Sequence, residues 1–337
     1  MNIVERGEIL MTTALAMISG GLDSALAAKL VKEQGIEVIG ICFKSNFFGE
    51  KNALKMVKQI DIPLEVVDFS DAHFQMMKNP KHGYGKNMNP CIDCHAMMMR
   101  YCGDLLEKFH ADFIITGEVL NQRPMSQNRS SLDVVKNESG IGDKILRPLC
   151  ARNLNPTQME IDGLIDREAL MNIEGRNRKV QMELASKWGI LDYPSPAGGC
   201  KLTEPNYSIR LKDLLDHKEN PTKRDLKLLR IGRQFRLSKD SKIISTRTEK
   251  EGDLLEQLLT KEDLMFLAKD YNGSTVAIIG IATNEDIEFA ARITGRYCKG
   301  QGEKVVSISY GKDYESLDRV IDAIPATQEE INNYIIN

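Results

Sequence analysis

Ser19-Gly20-Gly21-Leu22-Asp23-Ser24 is the stretch on which the reading of the fold turns. The apolar run Ala14-Leu15-Ala16-Met17-Ile18 precedes it. After it, Leu26, Ala27, Leu30 and Val31 recur at helical spacing as far as Gly35, a residue suited to closing a helix. The segment therefore reads as strand, glycine-rich turn, helix. Adjacent glycines let the backbone approach a phosphate with no Cβ in the way, and the unbonded N–H groups at a helix start favour an anion. Ser19 and Ser24 add hydroxyl donors, whereas Asp23 is out of place in a phosphate cradle unless a metal ion or a departing product shares the site. The turn does not end in Gly-Lys-Ser/Thr, so it is not a Walker A loop. An ordinary glycine-rich connection is the plainer alternative.

At 337 residues the chain predicts two or three domains. With 42% hydrophobic and 28% charged residues it has the composition of a globular protein with ample core. No apolar run of about eighteen residues is present, so no membrane span is expected. Met1 to Leu10 carries Glu5 and Glu8 and lacks an apolar stretch, unlike a signal peptide. Seven cysteines without an export signal imply a reducing compartment, and the expected location is cytoplasmic; clustered thiols there are metal ligands or catalysts rather than disulfides. A net charge of −3 gives no global attraction to nucleic acid, so any RNA surface must be a local patch.

Downstream, Ile36–Ile41, residues 64–69 and residues 112–117 read as further strands, with a helix over residues 50–60 and a short strand from Ile145. Strands alternating with helices predict an α/β domain with a doubly wound parallel sheet, whose ligand lies beyond the strands' carboxyl ends. By that rule Phe43 to Phe48, just past the second strand, is the candidate adenine and ribose contact, with a solvent loop carrying incidental aromatics as the alternative, and Gly117 permits close approach of a nucleotide. Residues 78–90 form a turn-rich, basic loop leading into Cys91-Ile92-Asp93-Cys94-His95. Met98, Cys102, Leu105 and Phe109 then share one helix face, which makes Cys102 a core residue. Cys91 and Cys94 stand at that helix's start, where the dipole favours thiolates.

Arg176, Arg178 and Lys179 lie on helical-looking chain and read either as a solvated face or as an RNA-facing one. Cys200 ends a Pro- and Gly-rich loop, a poor place for core filling. From about residue 206 the character changes: thirteen Lys/Arg stand against six Asp/Glu between residues 210 and 250, and eight against sixteen over 251–337. A second, smaller α/β or α+β domain is expected there. Arg233, Arg236 and Lys242, interleaved with Phe235, are its candidate RNA contacts.

Cys91, Cys94 and distant Cys200 form a CxxC plus one. A closed zinc site needs four ligands, and no second CxxC or His pair supplies the fourth. Three thiolates suit a [4Fe-4S] cluster with one open iron. Alternatively Cys200 carries a persulfide that Cys94 resolves. Zinc is the remaining occupant to consider.

Ser19 to Ser24 resembles the PP-loop of ATP pyrophosphatases. Together with Asn89 to Cys94, Ala111 to Gly117 and Gly198-Gly199-Cys200, in that order, it resembles the tRNA thiouridylases over roughly residues 11–205, most of all the 2-thiouridylase branch. The resemblance implies an adenine-nucleotide α-hydrolase-like fold and sulfur-handling roles for Cys94 and Cys200. Cys91 stands where many members have Asp, which resembles the branch whose three cysteines hold a [4Fe-4S] cluster. Residues from Ile231 onward faintly resemble the RNA-binding module of ribosome-associated quality-control factors, and the second domain is placed at 206–330.

The implied activity is ATP-dependent tRNA sulfur transfer. Ser19, Gly20, Gly21, Asp23 and Ser24 would hold the ATP phosphates with Mg²⁺, and a uridine carbonyl oxygen would be adenylated and then replaced by sulfur, giving 2-thiouridine in preference to 4-thiouridine. The partners expected are tRNA and a sulfur donor, either a cysteine desulfurase or inorganic sulfide. A small-molecule or amide-forming ATP pyrophosphatase with zinc and no RNA is the alternative.

Overall fold

In the computed structural model, which describes residues 11–196 and 199–336, β1 (Thr13–Met17) runs into the glycine-rich turn and leaves it as α1 (Leu22–Lys32). Met1 to Leu10, and Gly198 of the Gly-Gly-Cys motif, lie outside the described residues. The chain continues through β2 (Glu37–Lys44), α2 (Lys51–Ile60), β3 (Leu64–Asp68), α3 (Ser70–Lys78) and α4 (Cys91–Lys108). Then follow β4 (Phe113–Ile115), α5 (Arg129–Ser139), β5 (Ile145–Leu146), α6 (Gln158–Ile161) and α7 (Lys179–Lys187). The five strands pair in parallel in the order β3-β2-β1-β4-β5.

Alternation along β1 sorts its side chains between two layers. Ala14 and Ala16 pack with Leu22, Leu26 and Val31 of α1 and Met56 and Val57 of α2. Leu15 faces the opposite layer, where Ile41, Phe43, Phe69, Cys102, Leu106 and Ile114 gather under α4. Small residues on one face let α1 lie close to the sheet; each large side chain buried on either face contributes about 1.5–3 kcal/mol. A parallel sheet covered on both faces is the doubly wound architecture, and its strand order reverses between β1 and β4, where a crevice opens at the carboxyl ends.

One local expectation is corrected. β2 does not stop at Ile41 but runs on to Lys44, pairing Cys42 with Val66 and Phe43 with Val67. Beyond Ile41, Cys42 and Phe43 prolong the apolar run with no glycine, proline or asparagine to end it before Lys44. Phe43 is consequently 5% exposed, with its ring centroid 5.2 Å from that of Phe69 and 6.3 Å from that of Tyr101. Its ring fills the core and is not available to an adenine.

The chain parts into two compact units between Thr203 and Glu204. The second holds α8 (Pro205–His217), α9 (Lys223–Leu228), β6 (Arg233–Arg236), β7 (Ser241–Ser245), α10 (Glu249–Glu256) and β8 (Leu264–Ala268). It ends with β9 (Val276–Gly280), α11 (Asn284–Arg296), β10 (Val306–Gly311), β11 (Arg319–Ala323) and α12 (Gln328–Asn332). Its six strands are antiparallel, in the order β11-β10-β8-β9-β7-β6. Ala290, Ala291 and Ile293 of α11 cover one face; Leu228 of α9 and Leu255 of α10 pack on Ile244 and Ala277. This is an α+β unit. Thr222, Thr283 and Thr327 open α9, α11 and α12 with reciprocal capping boxes to Asp225, Asp286 and Glu330, each cap contributing about 1 kcal/mol. Among the described residues no helix is long and apolar enough to cross a membrane.

Candidate active site

The glycine-rich turn is shaped as much by protein neighbours as by any ligand. Gly20 adopts φ +79°, and a Cβ there would fall 2.5 Å from Asn52 Cβ and 2.6 Å from the backbone of Ala53. Only glycine lets the start of α2 close over the turn. Gly21 caps α1 without a side-chain bond; its N–H donates to Ser19 Oγ at 3.3 Å, and Ser24 Oγ donates to its carbonyl at 2.8 Å. The first-turn N–H groups of α1 are thus bare of any capping side chain, as an anion site requires.

Gly117 has the same kind of task. A Cβ on it would sit 2.5 Å from Ser24 N and 2.8 Å from Asp23 C. The glycine just past β4 therefore seats the first turn of α1 against the sheet.

Asp23 points into a polar cluster that sequence spacing does not reveal. Gln122 Nε2 donates to its Oδ2 at 2.7 Å, and Arg178 Nη2 lies 3.4 Å from its Oδ1. Gln181 Nε2 in turn donates to Gln122 Oε1 at 3.1 Å. Arg178 is thus turned inward onto the phosphate loop, whereas Arg176 and Lys179 are exposed and Lys179 stands 3.9 Å from Glu183 on the outer face of α7.

The cysteines are assembled by the turn-rich loop. His82 uses its backbone N–H and Nδ1 on the Asp93 carboxylate, both at 3.0 Å, which ties the loop to the first turn of α4. Asn89 Nδ2 donates to Cys91 Sγ at 3.1 Å, and Asn87 Nδ2 donates to the Thr203 carbonyl at 2.7 Å. Lys201 N–H donates to the Phe47 carbonyl at 3.0 Å, fixing the Cys200 segment beside the loop that follows β2. Burial, then the neighbouring Cys200, Cys91 and Asp93, push the Cys94 thiol well up. Helix position alone favours a thiolate at Cys94; removal from water and like charges reverse that expectation. Among the described residues no three Cys, His, Asp or Glu side chains already stand as a metal-binding group, so the donor set suits a metal centre but its geometry is not preformed.

Glu118 joins these halves. It is one residue past Gly117 and accepts from Arg147 Nε at 2.8 Å, while its other oxygen lies 2.8 Å from His95 Nδ1, beside Cys94. Burial opposes its ionisation, but Arg147 and His95 prevail and hold the carboxyl down at about 2. The sequence offers no periodic signal for Glu118, Gln122 or Arg147, because each is defined by partners far along the chain.

In the second unit the candidate RNA contacts separate. Lys242 is 5% exposed and donates to Gln234 Oε1 at 3.1 Å; burial, with Arg236 next, pulls its amine down to about 8. It alternates inward along β7 and does not reach a phosphate outside. Arg236 is engaged by both oxygens of Asp213, at 3.1 and 2.5 Å, and Arg233 lies over the Tyr297 ring at 4.4 Å. Lys239, Arg247 and Lys250 are the exposed cations of this segment.

A doubly wound sheet with this turn at its switch point gives the first unit the PP-loop α-hydrolase fold, and a separate antiparallel α+β unit follows it. Residues 10–156 match the family model described as thiamine biosynthesis protein (ThiI), and residues 232–335 match that of the NFACT protein RNA binding domain. The chain is similar to the tRNA-specific 2-thiouridylase MnmA of Dehalococcoides mccartyi, 36% identical over 125 residues, or 32% of this chain and 34% of that one. It is also similar to the enzyme of the same name from Karelsulcia muelleri, 26% identical over 190 residues, 52% of this chain and 46% of the other. The match to the D. mccartyi enzyme thus spans about a third of that relative's length. Among solved structures, a 4-thiouridine synthetase–RNA complex with bound ATP aligns with a TM-score of 0.35 at 15% identity, covering 53% of this chain and 52% of that one.

Proposed function

We propose that this chain is an ATP-dependent tRNA sulfurtransferase, replacing a uridine carbonyl oxygen with sulfur at position 2 of the base. The observation that carries the reading is the Gly117-Glu118 pair: one residue seats the phosphate loop, the next holds His95 beside Cys94, so nucleotide and sulfur chemistry share one end of one sheet. Support also comes from the thiouridylase relatives and from the match of residues 232–335 to an RNA-binding domain model.

In the first step the carbonyl oxygen attacks the α-phosphorus of ATP, the bond to the bridging oxygen breaks, and pyrophosphate leaves. The N–H groups of Leu22, Asp23 and Ser24, with the Ser19 and Ser24 hydroxyls, hold phosphate oxygens, and Asp23 meets the Mg²⁺ carried by ATP. A sulfur nucleophile then adds at the activated carbon, and AMP departs with the former carbonyl oxygen. The target base is turned out of its stack to reach the site.

Cys91, Cys94 and Cys200 would hold a [4Fe-4S] cluster. When bound, it would supply an iron position open to external sulfide. Cys91 favours this reading over persulfide exchange, because a third cysteine beside Cys94 has no task when sulfur passes only between Cys94 and Cys200. The test is iron analysis of anaerobically purified protein alongside a thiolation assay. About four irons per chain are expected, with both iron and activity lost in Cys91→Ala. Activity retained in Cys91→Ala would favour persulfide exchange between Cys94 and Cys200, and a colourless, air-stable, active enzyme would remove the cluster from the mechanism.

A further inference from the structure

Arg178 is the residue immediately before α7, far along the sequence from Asp23, yet its guanidinium is brought to the phosphate loop. Its side chain is only 17% exposed. For a group with five N–H donors it is poorly served: Nη2 makes a 3.4 Å approach to Asp23, and its buried Nε has no hydrogen-bond partner. Gln181 on the same helix is fully buried, and its Oε1 is also without a partner. Asp23 meanwhile holds a shorter bond to Gln122, at 2.7 Å, and so keeps a partner if Arg178 leaves.

Burying a cation against one long contact is costly, and the missing acceptors are what a phosphate would supply. The planar fork of arginine matches phosphate oxygens in a way a lysine does not. Resting on the reading of the α1 start as an ATP phosphate site, we propose that Arg178 is a phosphate-binding residue of that site, held on Asp23 until the nucleotide arrives. As a triphosphate settles on the first turn of α1, Arg178 exchanges the Asp23 carboxylate for phosphate oxygens, and Asp23 is released to the accompanying Mg²⁺. Arg178 then distinguishes ATP and pyrophosphate, with several anionic oxygens, from AMP.

Calorimetric titration of the full-length chain with ATP, pyrophosphate and AMP, each with Mg²⁺, tests this. Arg178→Gln is expected to weaken ATP and pyrophosphate by roughly 10- to 100-fold and to leave AMP within about twofold. Arg178→Lys keeps the charge on α7 and serves if Arg178→Gln does not fold; it is expected to weaken ATP several-fold with AMP unchanged. Wild-type ATP affinity in a folded variant, or equal loss for ATP and AMP, overturns the role of Arg178 while leaving the phosphate site standing. A wild-type chain that binds neither ATP nor pyrophosphate overturns the phosphate site and this inference with it.

Discussion

Glu118 is a carboxylate taken out of water and kept ionised by Arg147 on one side and His95 on the other. Because its pKa falls from 4.5 to about 2 on folding, its stabilisation is fully present above about pH 4.5 and drains away as the pH falls towards 2. Glu118→Gln leaves the buried Arg147 charge unpaired, a loss of about 3–5 kcal/mol at neutral pH. Urea unfolding at several pH values should show the wild type losing stability across that acid window and the variant lacking this component. Equal acid dependence in both proteins would mean that the pair contributes nothing. Lys242 shows the reverse lesson of burial: a cation in a basic stretch of sequence need not be a surface charge.

At the level of elements, the strand–turn–helix of β1 and α1 was legible because apolar run, glycine pair and helical period agree within twenty residues. The parallel sheet followed from repetition of that pattern. What escaped were features set by distant partners or by missing stop signals: β2 running past Ile41, and α5, whose buried face is largely Ser131, Leu132, Val135 and Ser139 and gives a weak apolar period. The inward turn of Arg178 depends on a residue in another helix and has no local signature. The close approach of the α1 backbone to Gly117 is likewise set by a distant partner. Gly117→Ala should therefore push the first turn of α1 off β4, lowering both melting temperature and ATP affinity. A normal melting temperature with normal ATP affinity would show that the turn can yield.

Across the whole molecule, a chain of net charge −3 must gather its cations locally to meet a polyanion. With Lys242 internal and Arg236 engaged by Asp213, the exposed Lys239, Arg247 and Lys250 are the cations we propose for that task around β6 and β7. Neutralising these three should weaken tRNA binding and lower the log–log salt slope by about one per lost phosphate contact, whereas Lys242→Met should leave the slope unchanged. An unaltered slope in the triple variant would move the RNA surface to Arg176 and Lys179.

The proposed function requires sulfur to reach tRNA through the shared end of the first sheet. Nucleoside mass spectrometry of tRNA from a strain lacking this chain tests that most directly. One thiolated uridine should disappear, return with the wild-type chain, and fail to return with Asp23→Ala or Cys200→Ala. An unchanged set of thionucleosides in the deletion strain would contradict the account.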